Sequence, residues 1–294
     1  MADARTAGAI YDLGYQRYDG ARLGRGYAFR TLLAFSFQTA FGLGRGEKAK
    51  FLPIICGALV YMPALIQIGV ASLAGSTQFL NYADHLEFTA FLLALFAAGQ
   101  APELIVADRQ QGVLSLYLSR PLRPLDYAFA KLIALSGAML VLTLGPQLVL
   151  FLGKIFISNK PWPAFVAEWP KLFPILGGSL LVSIFFAAVG LALSSFANRK
   201  GYATASVISF FLLSGALSEM VQKIGFGGVE RYAVLASPAL LISGFAKWLF
   251  EIEARRRSAV GRAALPGHLY LEVLTVVTII AVVILIRRYQ RGEE

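Results

Sequence analysis

The chain has 294 residues, 57% of them hydrophobic and 15% charged, with Lys and Arg outnumbering Asp and Glu 27 to 17. A soluble domain carries nearer a quarter charged residues, so this composition excludes an ordinary soluble enzyme or binding module and points to lipid. In such a chain the positive excess belongs to membrane orientation and contact with anionic lipid rather than to nucleic acid.

The first 25 residues are polar and lack an apolar core of signal-peptide type, which predicts a cytoplasmic N-terminus. From Tyr27 to Leu43 the pattern is amphipathic. Phe29, Leu33, Phe37 and Phe41 recur every fourth residue, while Arg30, Thr31, Gln38 and Thr39 take the other side. That spacing predicts a helix lying in the membrane interface, broken by Gly42, Gly44 and Gly46.

Six apolar blocks follow, each near the roughly 20 residues that a helix needs to cross the hydrocarbon layer. They are Phe51 to Leu73, Phe88 to Val106, Leu132 to Leu152, Leu172 to Ala197, Tyr202 to Val221 and Leu269 to Ile286. Lipid cannot satisfy a bare peptide group, so an all-α membrane fold with six spans is expected. Residues 1–50 would form the N-terminal region with its interfacial helix. Residues 51–287 would form the membrane domain, and residues 288–294 a cytoplasmic tail.

With both ends in the cytoplasm, 17 of the Lys and Arg residues fall inside and 10 outside, as the positive-inside rule favours. The connection 222–268 argues against this, because it carries Arg255, Arg256, Arg257 and Arg262 to the outer side. A seventh span over Ala233 to Phe250 would move them inside. It would, however, contain Pro238 and Lys247 and would expose Arg287, Arg288 and Arg291 outside. Leu241, Phe245, Trp248, Leu249 and Ile252 suit an amphipathic helix on the outer leaflet instead.

No catalytic constellation stands in the sequence. His85 and His268 fall at outer span ends and read as interfacial residues, since a metal site needs further ligands at close spacing. The lone Cys56 allows no internal disulfide and reads as a small apolar residue. Glu103 and Glu219 are ionisable groups at membrane depth, with pairing, a pathway role or snorkelling to water as alternatives. Gln67, Gln100, Thr143 and Gln147 are the other polar residues in the spans, and such residues often pair helices. The glycines at 42, 44 and 46 lack the preceding strand and the Gly-Lys-Ser/Thr of a phosphate loop. Leu213, Ser214 and Gly215 resemble the start of an ATPase signature but lie within a span.

The informative segment is the inner loop 107–131. Gly112 is placed to end the second span and Pro124 to open the third, with Asp126 at a helix N-terminus that favours negative charge. Val113 to Ser119 has room for two helical turns before Pro121. A short apolar-faced helix held between two rigid breaks suits the grip of a soluble partner.

This run resembles the inner loop of the ABC-2 type permeases, the membrane subunits of one class of ATP-binding-cassette exporters. Their pattern reads Glu-Arg, two residues, Gly-Thr-Leu-Glu, then Pro, an acidic-Tyr pair and a Lys opening the third span. Asp108 and Arg109 stand for the acidic-basic pair. Gly112, Leu114, Pro121, Asp126, Tyr127 and Lys131 keep their places, while Val113 and Ser115 depart from the usual Thr and Glu. The resemblance also takes in the interfacial helix, the six spans, Ser237-Pro238 and the basic tail.

It implies a pair of permease subunits, identical or different, coupled to separate ATPase subunits that bind ATP and Mg²⁺; no cofactor is expected in this chain. Coupling would run through Asp108, Arg109, Gly112, Val113, Leu114, Leu116, Tyr117, Leu118, Arg120, Pro121, Arg123 and Asp126. Arg199 and Lys200 would make a smaller second contact. Two rival readings share these motifs or part of them: a non-transporting structural or sensory partner of an ATPase, and a membrane-embedded enzyme acting on lipid.

Overall fold

The computed structural model describes residues 23–113, 117, 122–225, 227–256 and 258–290. Among these the chain is helical throughout, with no strand. Helix α1 covers Arg25–Ala40, α2 Glu47–Ala74, α3 Tyr82–Gln110, α4 Pro124–Ile157 and α5 Pro161–Glu168. Then come α6 Leu172–Phe196, α7 Lys200–Ile224, α8 Pro238–Leu249, α9 Ala259–Ala263 and α10 Gly267–Gln290. Three 3₁₀ segments, Thr77–Phe79, Trp169–Lys171 and Val229–Ala236, fill the connections.

Six helices are long and apolar enough to cross a membrane: α2, α3, α4, α6 with the preceding α5, α7 and α10. They match the six expected blocks in order. Helix α3 runs 29 residues and α4 runs 34, well beyond the roughly 20 needed for the hydrocarbon layer. The surplus carries their ends past the apolar blocks, so Asp108 and Lys131 stand in helices rather than in a loop.

The boundaries have local causes. Asn81 caps α3 by accepting hydrogen bonds from the backbone N–H groups of Ala83 and Asp84. At the other end Gly112 adopts φ +67°, the left-handed conformation that stops a helix. Pro124 opens α4, and the Asp126 carboxylate accepts from the Arg123 N–H at 2.9 Å. Ser237 caps α8 through Leu240 N–H, with Pro238 next.

Helices α3 and α6 are the most enclosed, while α7 and α2 leave most of their surface outward. Small residues let the two central helices meet. A Cβ placed on Gly190 of α6 would lie 3.1 Å from Ala97 Cβ and 3.4 Å from Ala101 Cβ of α3. Close backbone approach of this kind is how helices associate where lipid removes the hydrophobic drive.

Three expectations change. Helix α1 buries Leu32, Ser36, Thr39 and Ala40 against the bundle, while Phe35 and Phe37 stay exposed. Its inner face therefore combines Leu32 with small residues, including Thr39 from the expected polar side, where α1 packs on α4, while Phe29, Leu33 and Phe41 are half-buried against the core. Helix α8 forms where the outer amphipathic helix was expected, but Leu241 and Phe245 of its apolar side face protein while Trp248 stays exposed. It buries Leu241, Ile242, Ser243, Gly244, Phe245 and Ala246, packs on α3 and α10, and meets the 3₁₀ segment Val229–Ala236 at a 96° bend. By length and composition the pair qualifies as one bent apolar segment. Finally, His85 is buried within the first turn of α3, whereas His268 is exposed as expected.

Candidate functional site at the corner between α3 and α4

Asp108, in the last turn of α3, and Lys131, two turns into α4, form an ion pair at 2.7 Å. The lysine side chain is 1% exposed and the carboxylate 12%. Tyr127 donates its hydroxyl to the same carboxylate oxygen at 2.9 Å, and the Lys131 ammonium stands 5.3 Å from the centre of the Tyr127 ring. A buried lysine is tolerable only with a charge partner and hydrogen bonds of good geometry. The three residues supply both, and they fasten the end of one span to the start of the next.

Two further rings extend this joint. The ring of Tyr289, at the end of α10, lies 5.0 Å from that of Tyr127, and the ring of Tyr117, between α3 and α4, lies 6.1 Å from it. Both described chain ends reach this end of the bundle. Arg25, at the start of α1, makes two hydrogen bonds to Asp126, at 2.7 and 2.6 Å. That carboxylate holds the Arg25 guanidinium above its ordinary pKa.

A second set of contacts ties α3 to α6 and α7. Arg109 donates to the Ser195 carbonyl at 2.7 Å, and Gln110 to the Asn198 carbonyl at 3.2 Å. These satisfy carbonyls that the C-terminal end of α6 leaves without helical partners. Glu103 sits between two cations: Arg45 at 2.9 Å, from the turn after α1, and Lys200 at 2.9 Å, at the start of α7. The main-chain carbonyl of Glu103 also accepts from Arg45.

Most coupling candidates therefore gather at one end of the bundle, in two roles. Asp108 and Arg109 point into the protein and act as fasteners. Gly112 and Arg123 are exposed and Val113 and Tyr117 partly so. Asp126 is engaged with Arg25, Lys200 with Glu103, and Arg199 caps the start of α7. Leu114, Leu116, Leu118, Arg120 and Pro121 lie outside the described residues, as do Ser115 and Ser119.

The intramembrane candidates separate as well. Glu103 pairs helices at the corner end. Gln147 donates to the Tyr82 carbonyl at 3.0 Å, Gln67 accepts from Asn81 N–H, and Thr143 shares a 2.9 Å hydrogen bond with Ser183. Gln100 is buried in α3, and Glu219 is exposed on α7. Sequence reading missed the role of Arg45 and the closing of the joint by Tyr289. A tyrosine following the paired Arg287-Arg288 at the end of an apolar block was the available signal.

Among the described residues no group of three or more His, Cys, Asp or Glu side chains is placed to hold a metal. No curated protein matches the chain. The family model described as ABC-2 family transporter protein matches residues 28–291, which takes in α1 from its first turn, all six spans and the corner. The chain thus belongs to the ABC-2 family transporter proteins and is a multi-pass membrane permease.

Proposed function

We propose that this permease forms half of the translocation pathway of an ATP-binding-cassette exporter, driven by separate ATPase subunits that grip the corner 107–131. In this reading the corner end faces the cytoplasm, together with both described chain ends. The observation that carries the proposal is the buried Asp108–Lys131–Tyr127 joint. A pull on the loop can move spans only through a stiff attachment. Here the loop is rooted in α3 and α4 by an ion pair, and in α6 and α10 through Arg109 and Tyr289.

The loop around Arg199 and Lys200 is the second contact in this scheme, linked through Glu103 to the same base. A second permease subunit completes the pathway. An apolar cavity of about 230 Å³, lined by Ala90, Ala94, Phe186, Phe211 and Ala239 among others, supports an amphipathic or hydrophobic cargo over a sugar or inorganic ion.

The test is reconstitution. The chain purified in mild detergent should bring a P-loop ATPase with it, and vesicles holding the complex should transport in an ATP-dependent manner. Leu116→Asp should leave insertion intact while abolishing both transport and ATPase stimulation. Unchanged stimulation in that variant would refute the coupling role, and activity of the isolated chain on lipid would favour an enzyme.

A further inference from the structure

Helix α5 is out of keeping with its surroundings. None of its eight residues is buried by the protein. Helices this short are not stable alone in water, since packing rather than propensity supplies most helical stability. Its sequence, Pro-Trp-Pro-Ala-Phe-Val-Ala-Glu, holds one charge, Glu168, and that charge is turned towards the bundle. Glu168 accepts from the Tyr82 hydroxyl at 3.1 Å and pairs with Lys171 at 2.8 Å, with Lys154 at 3.8 Å. Lys154 in turn lies 4.2 Å from the centre of the Tyr82 ring.

The arrangement departs from a surface helix in water: the polar group turns inward, Phe165 leans on the buried Phe151 at 6.4 Å, and Trp162, Val166 and Trp169 face outward. Trp162 is 74% exposed and Trp169 47%. Between them Phe165 stacks on Trp162 at 5.8 Å and on Trp169 at 5.6 Å, and Trp169 meets Phe173 at 6.3 Å. The ladder ends on the exposed Phe173 of α6, and Phe156 near the end of α4 is exposed as well. It is continuous with the outward face of α6 through Phe173, and span faces turned outward meet lipid.

We propose that α5 and the turn Trp169–Lys171 form an interfacial anchor, seated at the headgroup–acyl boundary of the leaflet at the end opposite the corner. Tryptophan concentrates at that depth because its ring is apolar with one polar edge. Lys160, exposed at the start of the segment, is placed to reach the phosphates, since a lysine stem can lie along apolar surface with its ammonium in water, while Lys171 stays with Glu168. The Glu168 cluster is the peg that holds the anchor to α3 and α4, so the leaflet fixes the depth of α4 and α6.

Three tryptophans make this measurable in the full chain: Trp162, Trp169 and Trp248. Single-tryptophan variants carrying two of W162F, W169F and W248F are reconstituted in phosphatidylcholine vesicles brominated either near the headgroup or near the acyl end. The Trp162 and Trp169 variants should lose fluorescence to shallow bromine more than to deep bromine, and resist iodide in the water. Quenching by iodide with no loss to bromine would overturn the anchor. Protection from both, with emission that shifts as the protein is diluted in lipid, would assign α5 to a second copy and overturn it equally. Should a single-tryptophan variant fail to insert, the native chain gives the same answer. Its loss to shallow bromine must then exceed what the variant retaining only Trp248 shows, and equality of the two would refute the proposal.

Discussion

The Lys131 ammonium lies 2.7 Å from the Asp108 carboxylate, 23 residues back along the chain, with only 1% of the lysine side chain open to the surroundings. Breaking one side of a buried pair strands a charge, which costs about 3 to 5 kcal/mol, whereas removing both charges is often far milder. Lys131→Met and Asp108→Asn should each lower stability in detergent sharply. The double variant should recover much of the loss. Denaturant titration followed by far-UV circular dichroism reads all three.

Glu103 bridges Arg45 and Lys200 at 2.9 Å each, and all three side chains are partly open. Pairs of this exposure are worth about 1 kcal/mol or less and are weakened by salt. Glu103→Gln should therefore keep the fold with a small loss of stability that shrinks as salt rises. Thermal stability measured across a salt series checks the sign and the slope.

Gly190 sits where a Cβ would touch Ala97 and Ala101. Unlike a flexible side-chain tip, these neighbours are methyl groups fixed to a helix and have little room to yield. Gly190→Leu should force α3 and α6 apart and cost about 1 to 3 kcal/mol. The equivalent change at Gly177, where nothing lies within 4 Å, should cost much less, and a melting comparison of the two variants decides it.

Tyr117 lies in the loop, with its ring 6.1 Å from Tyr127. On the proposed function, Tyr117→Asp puts a charge on the surface that the ATPase grips. A loss of about 1.4 kcal/mol there weakens the ATPase affinity about tenfold. Titration of the ATPase onto nanodisc-held permease reads the shift, and insertion should be unaffected.

The crossings were legible because lipid enforces one rule on a long stretch of chain, and hydropathy reports it directly. Phe88 to Val106 was visible as a span. The true helix, Tyr82–Gln110, is longer because Asn81 and Gly112 stop it rather than the edge of the apolar block. Gly112, Pro124 and Asp126 fulfilled their expected local roles for the same reason: each acts on its own neighbours.

Long-range partners were not legible. Nothing near Glu103 announces Arg45, 58 residues away, or Lys200, 97 residues away. The pairing of Asp108 with Lys131 was not legible either, because hydropathy does not tell where helices extend beyond lipid. Helix α5 escaped notice since eight residues with two prolines carry no periodic signal. Helix α8 was legible from its apolar face, but not that Leu241 and Phe245 would be buried in a helix packed on α3 and α10, with Trp248 left exposed.

On the proposed function, the corner is the place where an ATPase takes hold. The direct measurement is photo-crosslinking, with benzoyl-phenylalanine replacing Leu116 in the full chain, in membranes that contain the ATPase. The account predicts a light-dependent adduct between the permease and a P-loop ATPase, altered in yield by ATP, and none from the same probe replacing Trp162. Adducts to lipid alone at position 116, or ATPase capture from position 162 instead, would contradict it.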